Sequence, residues 1–140
     1  MNRILVVHQP HLDFRILLND NLNINDDNEL IIDNKYFKAK VKLDALSVLS
    51  LSDVNIVDLN DYLGTIVLFD KYFIDDDELF EIFSHFDKFN EFDCQCGVGF
   101  KLSDVANDND KELELNEKFD KVLADHGFEF IDCSNNDSQR

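Results

Sequence analysis

Two histidines, His8 and His11, stand two residues apart, and two cysteines, Cys94 and Cys96, flank a single residue. Alternate cysteines on a strand share a face, and a histidine pair could complete a zinc site. The composition favours the plainer alternative of small buried thiols and turn histidines. His85 and His126 fall in expected helices, exposed or capping. Every histidine stands in an unsuitable place or lacks an orienting acid nearby, so no nucleophilic triad is compelling. Gly97-Val98-Gly99 is half of a dinucleotide fingerprint, lacking the third glycine and lying inside a strand pattern. Asp108-Asn109-Asp110 resembles the opening of a calcium loop, but Leu113 stands where that loop needs glycine and Phe119 where it needs glutamate. These residues assign no catalytic, cofactor-binding or metal-ligating position.

Phosphate chemistry can be sought in Arg3 to Leu18, RILVVHQPHLDFRILL. It reads as a buried strand (Ile4-Leu5-Val6-Val7), a turn (His8-Gln9-Pro10-His11) and a helix over about Leu12–Leu18. A strand running into a helix is how nucleotide-binding α/β folds open, with phosphate at the helix N-terminus. A phosphate loop needs glycines so that backbone N–H groups can close round the anion, a lysine for the β/γ oxygens, and a Ser or Thr for magnesium. Here no glycine precedes Gly64, Pro10 removes one N–H, and Asp13 adds negative charge to the first turn. The frame suits a nucleotide domain and the phosphate seat is absent.

The elements that position these residues follow from length and pattern. At 140 residues the chain fits one domain, expected over 1–134, with 135–140 a polar tail. A formal net charge of −17, with only 13 basic residues, argues against nucleic acid and anionic membrane surfaces as partners. Its plain reading is solubility, and its sharper one an acidic face for a basic partner. No segment is long and apolar enough to cross a bilayer, so direct membrane insertion is not expected. The apolar run after Arg3 is too short for a signal peptide. Three cysteines without disulfide spacing then fit reduced thiols in the cytosol.

Asn19 to Glu29 is rich in Asn and Asp and reads as a mobile surface loop. Leu30-Ile31-Ile32 and the alternating Tyr36–Leu43 form a hairpin. Ala45–Leu51 either extends it or connects irregularly, and Ser52–Leu63 has a weak helical period. Gly64-Thr65-Ile66-Val67-Leu68-Phe69 suits a central strand buried on both faces. Lys71-Tyr72-Phe73 turns into a helix opened by Asp75–Glu78 and running to about Asn90, with Leu79, Ile82, Phe83, Phe86 and Phe89 inward. Cys94–Phe100 is the next strand and Ser103–Asp110 a polar loop. A helix over about Lys111–His126 turns Leu115, Phe119, Val122 and Leu123 inward and stops at Gly127. Phe128–Ile131 is the final strand. The expected fold is α/β, with a mostly parallel sheet, one antiparallel strand, and helices on both faces in three layers.

This is the element order of small GTPases, whose remaining signals fail in turn. Asp61-Tyr62-Leu63-Gly64 fits DxxG but abuts the central strand with no room for a switch helix. Gly99-Phe100-Lys101-Leu102-Ser103-Asp104 stands where a guanine-reading NKxD belongs, without the Asn and with the acid one place late. Asp132-Cys133-Ser134 sits where the final base-contacting loop falls, a loose match.

Ile32-Asp33-Asn34-Lys35-Tyr36-Phe37 with its alternating strand, Ile66-Val67-Leu68-Phe69-Asp70, and His126-Gly127-Phe128-Glu129-Phe130 entering Asp132-Cys133-Ser134 together resemble the N-terminal domain of the alpha- and gamma-adaptin-binding protein family. The similarity spans about residues 1 to 134 and is specific in IDNKYF and HGFEF. It implies a Rab-like pseudoGTPase domain, not an enzyme and without a cofactor. It would belong to a cytosolic factor that binds adaptin subunits and assists clathrin adaptor assembly in vesicle trafficking. In that family a C-terminal helical region, associated with self-association and adaptin contact, follows this domain. A divergent GTPase and a generic scaffold on the same frame are the alternatives. Tyr72 and Phe73, large for a turn at the carboxyl edge where α/β folds place ligands, are the expected partner-binding residues. The competing reading has one of them tucked back onto the helix.

Overall fold

Gly64 to Asp70 is apolar on both sides of its pleat, and it forms the middle of the sheet with Val67, Leu68 and Phe69 fully buried. The computed structural model describes residues 2–13, 17, 24–33, 38–49, 62–86, 94–101 and 109–133. Six strands are named in chain order: β1 (Asn2–His8), β2 (Glu29–Asp33), β3 (Lys38–Ser47), β4 (Gly64–Asp70), β5 (Cys94–Phe100) and β6 (Glu129–Asp132). Helix α1 (Asp76–His85) joins β4 to β5, and α2 (Asn109–Asp125) joins β5 to β6. The sheet order is β2-β3-β1-β4-β5-β6. Among the named strands only the β2/β3 pair is antiparallel. The chain is therefore α/β with a mostly parallel mixed sheet.

The pleat sorts side chains into two cores. Leu5, Val7, Val67 and Phe69 face α1 (Leu79, Ile82, Phe83) and α2 (Phe119, Leu123), with Phe86 and Phe128 completing this layer. Phe69 lies edge-on to Phe83 and Phe119, with centroids 6.5 and 5.1 Å away. On the opposite face Val6, Leu43, Leu68, Val98 and Phe100 pack with Leu12 and Ile24. Both named helices lie on the first face. The helix expected over Leu12–Leu18 falls largely outside the described residues, as do Ser52–Asp61 and Leu102–Asp108. Leu17 does pack on the second core, and its N–H reaches the Asp13 carbonyl at 3.1 Å.

The helix ends follow the sequence. Asp75 caps α1, its Oδ1 accepting from the Glu78 amide at 2.7 Å, and three acids follow in the first turn. The helix stops at His85, earlier than expected, with Phe86 as its C-cap. Positions 87–90, including Phe89, lie outside the described residues. Gly127, at φ 79°, ends α2. Its N–H reaches Ala124 O and that of Phe128 reaches Leu123 O, satisfying the last carbonyls while Phe128 folds onto Leu123.

Two expectations change. Within the expected Asn19–Glu29 loop, the stretch from Ile24 to Glu29 forms a hydrogen-bonded turn. Ile24 bridges to Leu30, and Asn25 Oδ1 accepts from the amides of Asp27 and Glu29. Asn28 takes a left-handed φ of 60°. The Asn and Asp that suggest disorder are the residues whose side chains mimic a turn and tolerate that conformation. Positions 18–23 are outside the described residues. The Ala45–Leu51 stretch resolves in part, because β3 pairs with β1 through Ser47 before a short 3₁₀ turn at Val48 and Leu49.

Candidate functional site

At the carboxyl edge, where the turn after β1 meets the loop after β4, one buried side chain joins the two. Gln9 is 2% exposed. Its Oε1 accepts from the Asp70 amide at 2.7 Å. Its Nε2 donates to the Phe73 carbonyl at 3.1 Å and reaches Glu78 Oε1 at 3.3 Å. The Gln9 carbonyl accepts from the Leu12 amide at 3.0 Å and from His8 Nδ1 at 2.9 Å. A neutral amide with both ends used thus ties the turn after β1 to the loop after β4.

The loop after β4 carries a second buried polar group. Lys71 continues the inward alternation Thr65, Val67, Phe69, and its side chain has no exposed surface. Its stem runs over Gly99, where a Cβ would fall 2.8 Å from Lys71 Cγ. Nζ lies 2.6 Å from Glu112 Oε2, 2.7 Å from Asn116 Oδ1 and 3.0 Å from Asp132 Oδ1. Three acceptors meet the three N–H bonds of the ammonium. Glu112 and Asn116 are one helical turn apart on α2 and so share a face. Asn116 Nδ2 also donates to Asp132 Oδ2 at 3.0 Å, and the Tyr72 hydroxyl to Glu112 Oε1 at 3.0 Å. Chemically this cage is a fastener between β4, β6 and α2.

Tyr72 and Phe73 part company here. Tyr72 is half-buried with its hydroxyl held by α2 and Lys101 Nζ 5.8 Å from its ring centroid. Phe73 is 60% exposed and lies nearly perpendicular to the exposed His11 ring, centroids 6.4 Å apart. Its backbone is nevertheless fixed, the N–H donating to Asp70 O and the carbonyl accepting from Gln9. Glu78 beside them has its carboxyl raised above the ordinary range, chiefly by burial, against the lowering effect of the Gln9 bond.

The other candidates are drawn into packing. Cys96 lies half-buried against the second core with Cys133, whose thiol is pushed up by burial and then by Asp132. The side chain of Cys94 is outside the described residues. Among the described residues no group of three or more His, Cys, Asp or Glu could hold a metal ion. Gly97 is glycine for space, since a Cβ there would fall 2.4 Å from Leu123 Cδ2. His85 and His126, expected at the surface or capping, are half-buried, His126 stacking on Phe83 with centroids 6.4 Å apart. Packing against Phe80 and Phe83 of α1 draws His126 in, while His85 stands in the last turn of α1 beside Phe86. Gly64 opens β4, while Asp61, Asp104 and Ser134 are outside the described residues.

Sequence reasoning misses Gln9 and the Lys71 cage. One signal exists for the second: Lys71 continues the inward face of the β4 alternation, a charged residue in line with Val67 and Phe69. Fold and site together define an α/β protein whose carboxyl edge is closed by a buried amide and a caged lysine. Compared with known proteins, the chain matches no protein-family model and no curated protein.

Proposed function

We propose that this chain is a non-enzymatic protein-binding module on a small-GTPase frame, a Rab-like pseudoGTPase domain of a cytosolic factor that binds adaptin subunits and assists clathrin adaptor assembly in vesicle trafficking. The observation that supports the non-enzymatic part is the Gln9–Asp70 bond of 2.7 Å, which ties the glycine-free turn after β1 to the loop after β4. The order β2-β3-β1-β4-β5-β6 with β2 alone reversed supports the GTPase frame. The adaptin part rests on the resemblance of the IDNKYF and HGFEF segments.

Two measurements test it. Isothermal titration with GTP and GDP, with and without magnesium, should give no binding; micromolar affinity would return the chain to the GTPases. Affinity capture with mass spectrometry should recover adaptin subunits, and their absence from the prey would favour a scaffold for another partner.

A further inference from the structure

Phe73 is an exposed aromatic ring on a backbone held at both its N–H and its carbonyl. An interface anchor presented this way loses little conformational freedom on binding. Pro10 and His11 lie exposed on the facing turn, the His11 and Phe73 rings set nearly perpendicular. Among the described residues the surroundings are predominantly acidic, although Lys101 lies over the neighbouring Tyr72 ring. Asp75, Asp76 and Asp77 are exposed just beyond Phe73, Glu78 and Glu81 follow, and Asp13 ends the facing turn. No lysine or arginine occurs in residues 9–13 or 72–85. The nearby Lys71 is held in its cage, and Lys118 pairs with Asp76 at 3.0 Å.

We infer that the Phe73–His11 knob with its acidic rim is a docking surface for a basic amphipathic protein segment, one that sets an apolar side chain on Phe73 and Lys or Arg on the surrounding carboxylates. The charge excludes anionic lipid and nucleic acid from this surface and selects a cationic partner. The inference rests on the protein-binding reading and names the partner chemistry of that site. It does not depend on the partner being an adaptin.

The test uses the full chain, isotope-labelled, titrated with a synthetic amphipathic Leu/Lys peptide and with a Lys/Gln peptide of equal charge. Amide shifts from the amphipathic peptide should concentrate in residues 9–13 and 70–81. Phe73→Ser should weaken that peptide about tenfold, the loss of one anchor. Asp77→Asn should weaken it less and flatten its salt dependence. Because Phe73 is exposed the variants should fold, and their own spectra check this; Phe73→Leu, which keeps an apolar anchor, should bind near the wild-type level. Equal binding by the two peptides, shifts centred on another surface, or no effect of Phe73→Ser would overturn the inference. Adaptin capture is scored separately, so loss of adaptins with peptide docking intact removes only the adaptin reading.

Discussion

The ammonium of Lys71 lies 2.6 Å from the carboxylate of Glu112, and the lysine side chain is wholly enclosed while the glutamate keeps 11% of its surface. A buried charge is tolerated only when its partners are in place. These two residues are 41 positions apart, so the end of β4 and the first half of α2 are tied by a contact that neither segment could make alone.

Removing the cation should be costly because two carboxylates lose their partner. Lys71→Met keeps the stem over Gly99 and should destabilise the domain by about 3 kcal/mol, the lower end for breaking a buried pair, since Glu112 and Asp132 retain some solvent. Adding Glu112→Gln should recover part of the loss. Urea denaturation of the two variants measures both effects, and a double variant no better than the single would contradict the cage.

Gln9 should behave as a fastener. Gln9→Ala leaves the buried Asp70 amide without its acceptor and should cost about 1–3 kcal/mol. Gln9→Glu keeps an acceptor but loses the donor to Phe73 O and sets a second carboxylate beside Glu78. Its deficit should therefore be larger at neutral pH than in acid, as thermal unfolding at two pH values would read.

Gly97 should tolerate no side chain while Leu123 is present. Gly97→Ala places a methyl 2.4 Å from Leu123 Cδ2 and should cost about 1–3 kcal/mol as overpacking. In a Leu123→Ala background the same change should cost clearly less. A double-mutant cycle with additive effects would rule out this account.

Glu78 sets a pH dependence of definite sign. Burial raises its folded carboxyl above the ordinary value, so its contribution favours folding below the ordinary value and is lost as pH rises through the raised one. Glu78→Gln, which keeps an oxygen for Gln9, should gain on the wild type as pH rises from about 4.3, the ordinary glutamate value. A stability difference that is flat or falls with pH would reverse the assignment.

Cys133 should be a slow thiol. Burial and the adjacent Asp132 disfavour its thiolate, so alkylation by iodoacetamide should lag that of the urea-unfolded chain at the same pH. Mass spectrometry of the labelled peptide gives the ratio, and equal rates would contradict the burial.

Much of the fold is legible in the amino-acid pattern. Each named strand can be read there, because Val67, Leu68 and Phe69 form a short apolar run suited to a central strand, and because the Val41/Leu43 alternation has the period of a strand. Asp75 and Gly127 bracket helices because capping is local chemistry. The Asn25 turn escapes such a reading because an Asn/Asp-rich stretch has the same composition whether its side chains bond the backbone or water. Of the site, the missing phosphate seat can be read directly, since it needs glycine, lysine and Ser/Thr at fixed local spacing.

What the chain alone determines is thus local: element order, caps, the inward face of each strand, and the lack of phosphate-loop residues. Tertiary structure alone decides that Gln9 holds the Asp70 loop, that Lys71 is caged by Glu112, Asn116 and Asp132, and that Tyr72 turns in while Phe73 stays out. The reason is physical. A polar side chain's place depends on which distant donors and acceptors the packed sheet brings within about 3 Å of it, the reach of a hydrogen bond. That proximity exists only once β1, β4, β6 and α2 are side by side.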